Sequence, residues 1–301
     1  MPFCRTPSCL EYQIVRQVGE GSAVVYQART KEARHSQNVA LKATTIGRAL
    51  HEARILASLQ HPNIPRFYEL VVDEQQACVV MEYIEGETLS QYLDVYLAQG
   101  NLPPVQQVLS MGIQLCAVLD YLHSQQPALT FRDIKPENVM LSADGRLVLI
   151  DFDIACAQVA MWDSDFPVAG TPGYIAPELL AESPSFSPLS DVYGLGATLY
   201  HLLTGHRPPL DMRKAAQDRA FRRLPLSLRS VLLWMTERDP RRRPGDIGIV
   251  RMVLEQALHS LRMRNTWVNW LKSIPVVLRN IVAEGNGHRI PRLESLGTLE
   301  N

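Results

Sequence analysis

The sequence predicts an α+β, bilobal architecture, with a small β-rich lobe followed by a larger helical one. Three observations predict it. Early in the chain, short β-branched runs bounded by turn residues surround one helix-patterned segment. After "IEGETL" the texture changes to long helical segments. One of these, "SDVYGLGATLYHLLTG", is apolar nearly all round, which suits a helix buried inside a lobe. The 301 residues are 46% hydrophobic, enough for a sizeable core.

In chain order, "YQIVRQVG" and "AVVYQART" read as strands joined by the turn "GEGS", and "NVALKAT" as a third strand. "ALHEARILASLQ" has helical spacing, with Ile55, Leu56 and Leu59 apolar. "HPNIP" ends it, because proline cannot continue a helix. "ACVVMEYI" is strongly β-like, and the join between lobes falls near Glu82 to Gly86. "VQQVLSMGIQLCAVLDYLHS", "SLRSVLLWMTER" and "GDIGIVRMVLEQALHSLR" read as helices of the second lobe.

Thirty basic residues against thirty-one acidic give a net charge of −1, which argues against nucleic-acid binding carried by global charge. The five cysteines lack zinc-type spacing and read as reduced thiols of a cytoplasmic protein. The start, "MPFCRTPSCLEYQ", has no apolar stretch of signal-peptide type. No uninterrupted apolar run approaches the roughly 20 residues of a membrane-spanning helix.

Several residues are candidates for chemistry. Gly19 and Gly21 form a side-chain-poor turn: a plain hairpin, or a backbone able to approach phosphates closely. Glu52 shares a helix face with Ile55 and Leu56, so its carboxylate needs a partner, and Lys42 on the preceding strand is the candidate. "FRDIKPENVML" puts Asp133, Lys135 and Asn138 in one loop made rigid by Pro136. A base, a cation and a metal-capable amide together suit phosphoryl transfer. "LVLIDFD" ends a buried strand with Asp151, a carboxylate suited to Mg²⁺. Taken singly, Asp133 or Asp151 is an ordinary turn or cap residue.

Taken together, the order and spacing resemble the eukaryotic-type serine/threonine protein kinases. The resemblance runs through "GEGS", "VALK", Glu52 before "HPNI", "MEYIEG", "FRDIKPEN", "DFD", "AGTPGYIAPE", "SDVYGLG" and "DPRRRP". It implies a kinase domain over residues 12–262, with a first lobe to about residue 82 and a second from about 87. Residues 1–11 would be a leader and 263–301 an extension. It implies ATP and Mg²⁺ as cofactors and a protein substrate with a serine or threonine acceptor. Val18, Gly19, Glu20 and Gly21 would cover the phosphates, and Lys42 would contact them while pairing with Glu52. Val25, Ala40 and Met140 would enclose the adenine, Met81 would stand behind it, and Glu82 and Ile84 would offer it backbone groups. Asp133 would accept or orient the proton of the attacking hydroxyl. Lys135 would stabilise the transferring group, and Asn138 and Asp151 would hold Mg²⁺. Thr171 would face the substrate. Glu178, Arg243 and Asp191 would be structural, and Arg241 and Arg242 solvated. Leu56, Phe152 and Phe131 would stack as a hydrophobic spine.

The chain departs from the pattern in three places. The phosphate loop is one residue short and lacks a third glycine. Phe131 replaces a histidine. Asp153 stands where the family has glycine, while the metal carboxylate Asp151 is present: either Asp153 adds charge to the metal site, or, as expected, it points to solvent and only restricts motion. These departures keep open a pseudokinase that binds nucleotide or acts as a scaffold; "GTPGYIAPE" argues against a small-molecule kinase. Four positions before Thr171 stands Pro167, so Asp165 or Asp163 is expected to pair with Arg132 in place of a phosphate, with Ser164 as the competing switch. "TWVNWLKSIPVVLRNIV" reads either as a helix on the second lobe broken at Pro275, or as an amphipathic docking element.

Overall fold

The computed structural model describes residues 12–20, 23–30, 38–73, 76–157, 170–181 and 184–273, without the side chains of 157 and 264–273. Gly21 and the segment holding Asp163, Ser164, Asp165 and Pro167 lie outside the described residues, as does Pro275.

The first lobe is a five-stranded antiparallel sheet in the order β1-β2-β3-β5-β4. Its strands are β1 (Tyr12–Glu20), β2 (Val24–Thr30), β3 (Asn38–Thr44), β4 (Phe67–Val72) and β5 (Ala77–Glu82). Strand alternation gives the sheet two different faces. Ala28, Val39, Leu41, Val71, Cys78 and Val80 form a core cluster on one face, with Tyr12, Tyr26 and Tyr68 packed against it. Ala40 and Lys42 therefore point the other way, towards helix α1 (Ile46–Ser58). Strand β4 was not anticipated. Its residues are mostly half-buried, so no strong apolar alternation marks it.

The chain leaves the sheet through β6 (Gly86–Thr88), which pairs with β8 (Val139–Ser142), itself paired with β9 (Leu147–Leu149). A Cβ on Gly86 would lie 2.1 Å from the Leu141 carbonyl oxygen, so only glycine allows this approach. Helix α2 (Leu89–Ala98) was missed, although "TLSQ" marks its start. The Gln91 amide donates to Thr88 Oγ1 at 3.2 Å, and the Thr88 amide donates to Gln91 Oε1 at 2.9 Å, a reciprocal cap.

The second lobe is built on α3 (Val105–His123) and α4 (Pro188–Thr204). Helix α3 is long and apolar enough to cross a membrane, but half of it is buried within the protein. A Cβ on Gly112 of α3 would lie 3.1 Å from a Leu199 methyl of α4, so the glycine suits this close approach. Residues Ser190 to Thr204 of α4 are all buried, as its all-round apolar sequence requires. It stops at Gly205, whose φ of 73° suits glycine. A short ladder joins β7 (Leu129–Thr130) to β10 (Cys156–Ala157). Helices α5 (Arg219–Arg223), α6 (Leu226–Met235) and α7 (Ile247–Ser273) complete the order. The chain divides into two compact units, Met1–Ala257 and Leu258–Asn301, and every site residue lies in the first.

Candidate active site

The sheet register gathers most of the predicted nucleotide residues on one face. Gly19 stands opposite Val25, Val25 opposite Lys42, and Ala40 opposite Met81. Directly opposed residues share a face, so Gly19, Val25, Lys42, Ala40 and Met81 line one surface. Met140 is half-buried on β8, in the second lobe's three-stranded sheet. Ile84, which follows β5 and precedes β6 in the chain, is buried. Val18 and Glu20 are exposed, and Val18 falls at a register shift between Gln17 and Gly19. The Glu82 backbone N–H donates to the Arg66 carbonyl at 2.8 Å, so of its two backbone groups the carbonyl is the one left for a ligand. Its carboxylate accepts from Arg146 Nη2 at 3.2 Å and from the Arg66 amide at 3.2 Å.

Lys42 stands between two carboxylates. Its Nζ lies 2.7 Å from Glu52 Oε2 and 2.5 Å from Asp151 Oδ1. Burial works against its charge, but Glu52 and Asp151 outweigh that and raise its pKa above the ordinary lysine value. Burial pushes Glu52 up, opposed by Lys42. Burial also opposes ionisation of Asp151, yet the Lys42 charge lowers its pKa. The directions for Lys42 and Glu52 pull against each other. The two short contacts to Lys42 decide for a lysine held as a cation.

The loop after β7 brings Asp133, Lys135 and Asn138 together. Asp133 Oδ2 accepts from Lys135 Nζ at 2.5 Å and from Asn138 Nδ2 at 2.8 Å. Asp133 Oδ1 has one long contact, 3.3 Å from Thr171 Oγ1. Thr171 Oγ1 in turn accepts from Lys135 Nζ at 2.8 Å. The aspartate therefore has one oxygen held and one nearly free, and the free one is available to accept a proton.

This loop is backbone-strained at a defined point. Arg132 and Asp151 both have a φ of 73°, a region that non-glycine residues seldom adopt. Asp191, buried in α4, holds the first of them. Its carboxylate accepts from the Phe131 amide at 2.9 Å and the Arg132 amide at 2.8 Å, and its Oδ2 lies 2.8 Å from His123 Nε2. His123 was not anticipated; nothing sets it apart in the sequence from any other histidine near a helix end. Thr198 Oγ1 adds a 2.9 Å bond to the Ile134 carbonyl. The Arg132 guanidinium donates to the Ile154 carbonyl at 3.1 Å and lies 4.3 Å from the centre of the Phe186 ring.

Phe131 and Phe152 meet edge to face with ring centres 5.0 Å apart, and both are buried, as is Leu56. Glu178 and Arg243 pair through both arms of the guanidinium, while Arg241 and Arg242 are exposed. Asp153 overturns the expectation of a solvent-facing side chain. It is 8% exposed. Burial and the Asp151 charge push its pKa up to about 6. Its Oδ2 lies 3.7 Å from Arg48 Nη1 of α1, so the side chain is covered by that helix rather than by water.

A family model described as "Protein kinase domain" matches residues 12–260. The chain is 28% identical over 282 residues to the serine/threonine-protein kinase Nek11 of Homo sapiens, covering 87% of this chain and 43% of that protein. It is 35% identical over 207 residues to serine/threonine-protein kinase 36 of Pongo abelii, covering 66% and 15% respectively. It is 32% identical over 253 residues to the serine/threonine-protein kinase PrkC of Bacillus subtilis (strain 168), covering 76% and 38%. The chain spans less than half the length of each of these relatives.

Proposed function

This chain belongs to the protein kinase family, and from that premise we propose that it is an active serine/threonine kinase. It transfers the terminal phosphoryl group of ATP to a serine or threonine hydroxyl of a protein substrate. The observation that carries this reading is the asymmetry of Asp133, with Oδ2 held by Lys135 and Asn138 and Oδ1 nearly free.

Each residue has work that its surroundings support. Asp133 Oδ1 orients the substrate hydroxyl and takes its proton as the new P–O bond forms and the bond from that phosphorus to the leaving ADP breaks. Lys135 lies within reach of the same place and offers positive charge to the transferring group. Thr171 bridges the aspartate and the lysine, which ties the substrate platform to the base. Lys42, kept cationic between Glu52 and Asp151, offers charge to the phosphates. The donor set fits magnesium. Asp151 is a carboxylate held ionised, and Asn138 turns its amide nitrogen to Asp133, which leaves its oxygen for a ligand. Magnesium bound there supplies neutralising charge to the phosphates. Among the described residues Cys78, Cys116 and Cys156 are free thiols, which suits a reducing, cytoplasmic setting.

The test is phosphate incorporation from Mg²⁺-ATP into the protein itself and into a mixed serine/threonine peptide library, with Asp133→Asn prepared alongside. Transfer by the wild type and none by the variant is the expected result. Nucleotide binding with no transfer by either would replace the enzyme with a binding scaffold.

A further inference from the structure

One face of α1 reaches the segment that follows Asp151 at three points. Glu52 Oε1 accepts from the Phe152 amide at 3.0 Å. His51 Nε2 lies 2.7 Å from the Ala155 carbonyl oxygen. Arg48 Nη1 lies 3.7 Å from Asp153 Oδ2. Residues spaced by three and four share a helix face, so 48, 51 and 52 act as a row. The first two contacts use backbone atoms, which any sequence would offer. The third needs an acidic side chain at position 153.

Two further observations give that side chain a purpose. The backbone at Asp153 is not in the left-handed region, in contrast to Asp151, so nothing local requires glycine there and the aspartate is unstrained. Its side chain is nevertheless buried, and a buried polar group needs a partner. Arg48 is the cation in ion-pair contact with it, and Lys42 is held by Glu52 and Asp151.

We propose that Asp153 is a positioning residue. Paired with Arg48, it ties α1 to the Asp151 segment and so keeps Glu52 on Lys42. It touches no reacting atom and acts through the Lys42–Glu52 pair. The proposal deepens the phosphoryl-transfer reading and rests on it.

The experiment compares wild type with Asp153→Asn, Asp153→Gly, Arg48→Ala, Arg48→Lys and the double variant Asp153→Asn/Arg48→Ala. Two quantities are read: amide hydrogen exchange over residues 46–58 without nucleotide, and kcat/KM for ATP. Asp153→Asn, Asp153→Gly and Arg48→Ala should each speed α1 exchange and lower kcat/KM by about two- to fivefold, the factor that a partly exposed ion pair supplies. The double variant should be no worse than either single, because both remove one interaction. Arg48→Lys should restore most of the protection. Wild-type exchange in the single variants, or single effects that multiply in the double, would overturn the proposal. Exchange is read without catalysis, so the two readings fail separately. A wild type that transfers no phosphate but loses α1 protection in the variants loses the enzyme reading and keeps the pair.

Discussion

Arg243 grips Glu178 with both arms of its guanidinium, Nη1 at 2.7 Å from Oε1 and Nη2 at 2.6 Å from Oε2. The Arg243 side chain is 0% exposed. Its Nε also donates to the Glu237 carbonyl at 2.8 Å, and Ser190 Oγ donates to Glu178 Oε1 at 2.8 Å. The pair thus fastens the stretch after Thr171 to the start of α4. Removing either partner leaves a buried charge alone, so Glu178→Ala or Arg243→Ala should cost about 3–5 kcal/mol in urea unfolding. Arg243→Lys should recover part of this, because an ammonium cannot make the two-pronged contact. A cost under about 1 kcal/mol would mean that water replaces the missing partner.

Lys42→Met and Asp133→Asn should both reduce phosphoryl transfer by about a hundredfold or more, since positioned charge supplies most of this catalysis. Their stabilities should differ. Lys42→Met leaves the buried carboxylate of Glu52 without its cation, and Tm should fall on the order of 10 °C. Asp133→Asn keeps the shape of the side chain and should melt within about 2 °C of wild type. Calorimetry beside a transfer assay reads both. Equal melting of the two variants would show that Glu52 is neutral when Lys42 is absent and costs nothing there.

Thr171 bonds to both Lys135 and Asp133. Hydrogen bonds to charged groups contribute about 1.5–3 kcal/mol, so Thr171→Ala should slow transfer by about tenfold or more. Thr171→Ser keeps the hydroxyl and should stay close to wild type. Steady-state kinetics on one peptide substrate checks this. An inactive serine variant would locate the role in the methyl group instead.

His201 is buried in α4, with its Nδ1 2.6 Å from the Tyr174 hydroxyl. Burial lowers its pKa from 6.5 to about 4. Between those values the unfolded chain takes up a proton that the native protein refuses. The stability that neutral His201 contributes is therefore complete above pH 6.5 and lost as pH falls towards about 4. The loss amounts to at most about 3 kcal/mol. His201→Gln should flatten this part of the stability profile, measured by urea unfolding at several pH values. An unchanged acid slope would assign the loss to other groups.

The sequence alone determined which residue types occur in which order, and much of the site is written at that level. "VALK", Glu52 and "FRDIKPENVML" are local patterns whose meaning depends on spacing along the chain. The strands β1, β2, β3 and β5 and the helices α1, α3, α4, α6 and the start of α7 were legible because apolar periodicity is strong there. Strand β4 and helix α2 were not, the first for want of alternation and the second because its capping signal was passed over. What tertiary structure decided is which groups meet across the fold. Lys42 and Asp151 are 109 residues apart in sequence and 2.5 Å apart in space. Nothing in either neighbourhood announces that His123 supports Asp191, or that the Glu82 amide is already bonded to Arg66. Asp153 shows the difference most plainly. Read along the chain, it is a polar residue free to face water; in the fold it is buried, with Arg48 of α1 at its carboxyl. Burial depends on the whole chain, and so does the charge state of every carboxylate it encloses.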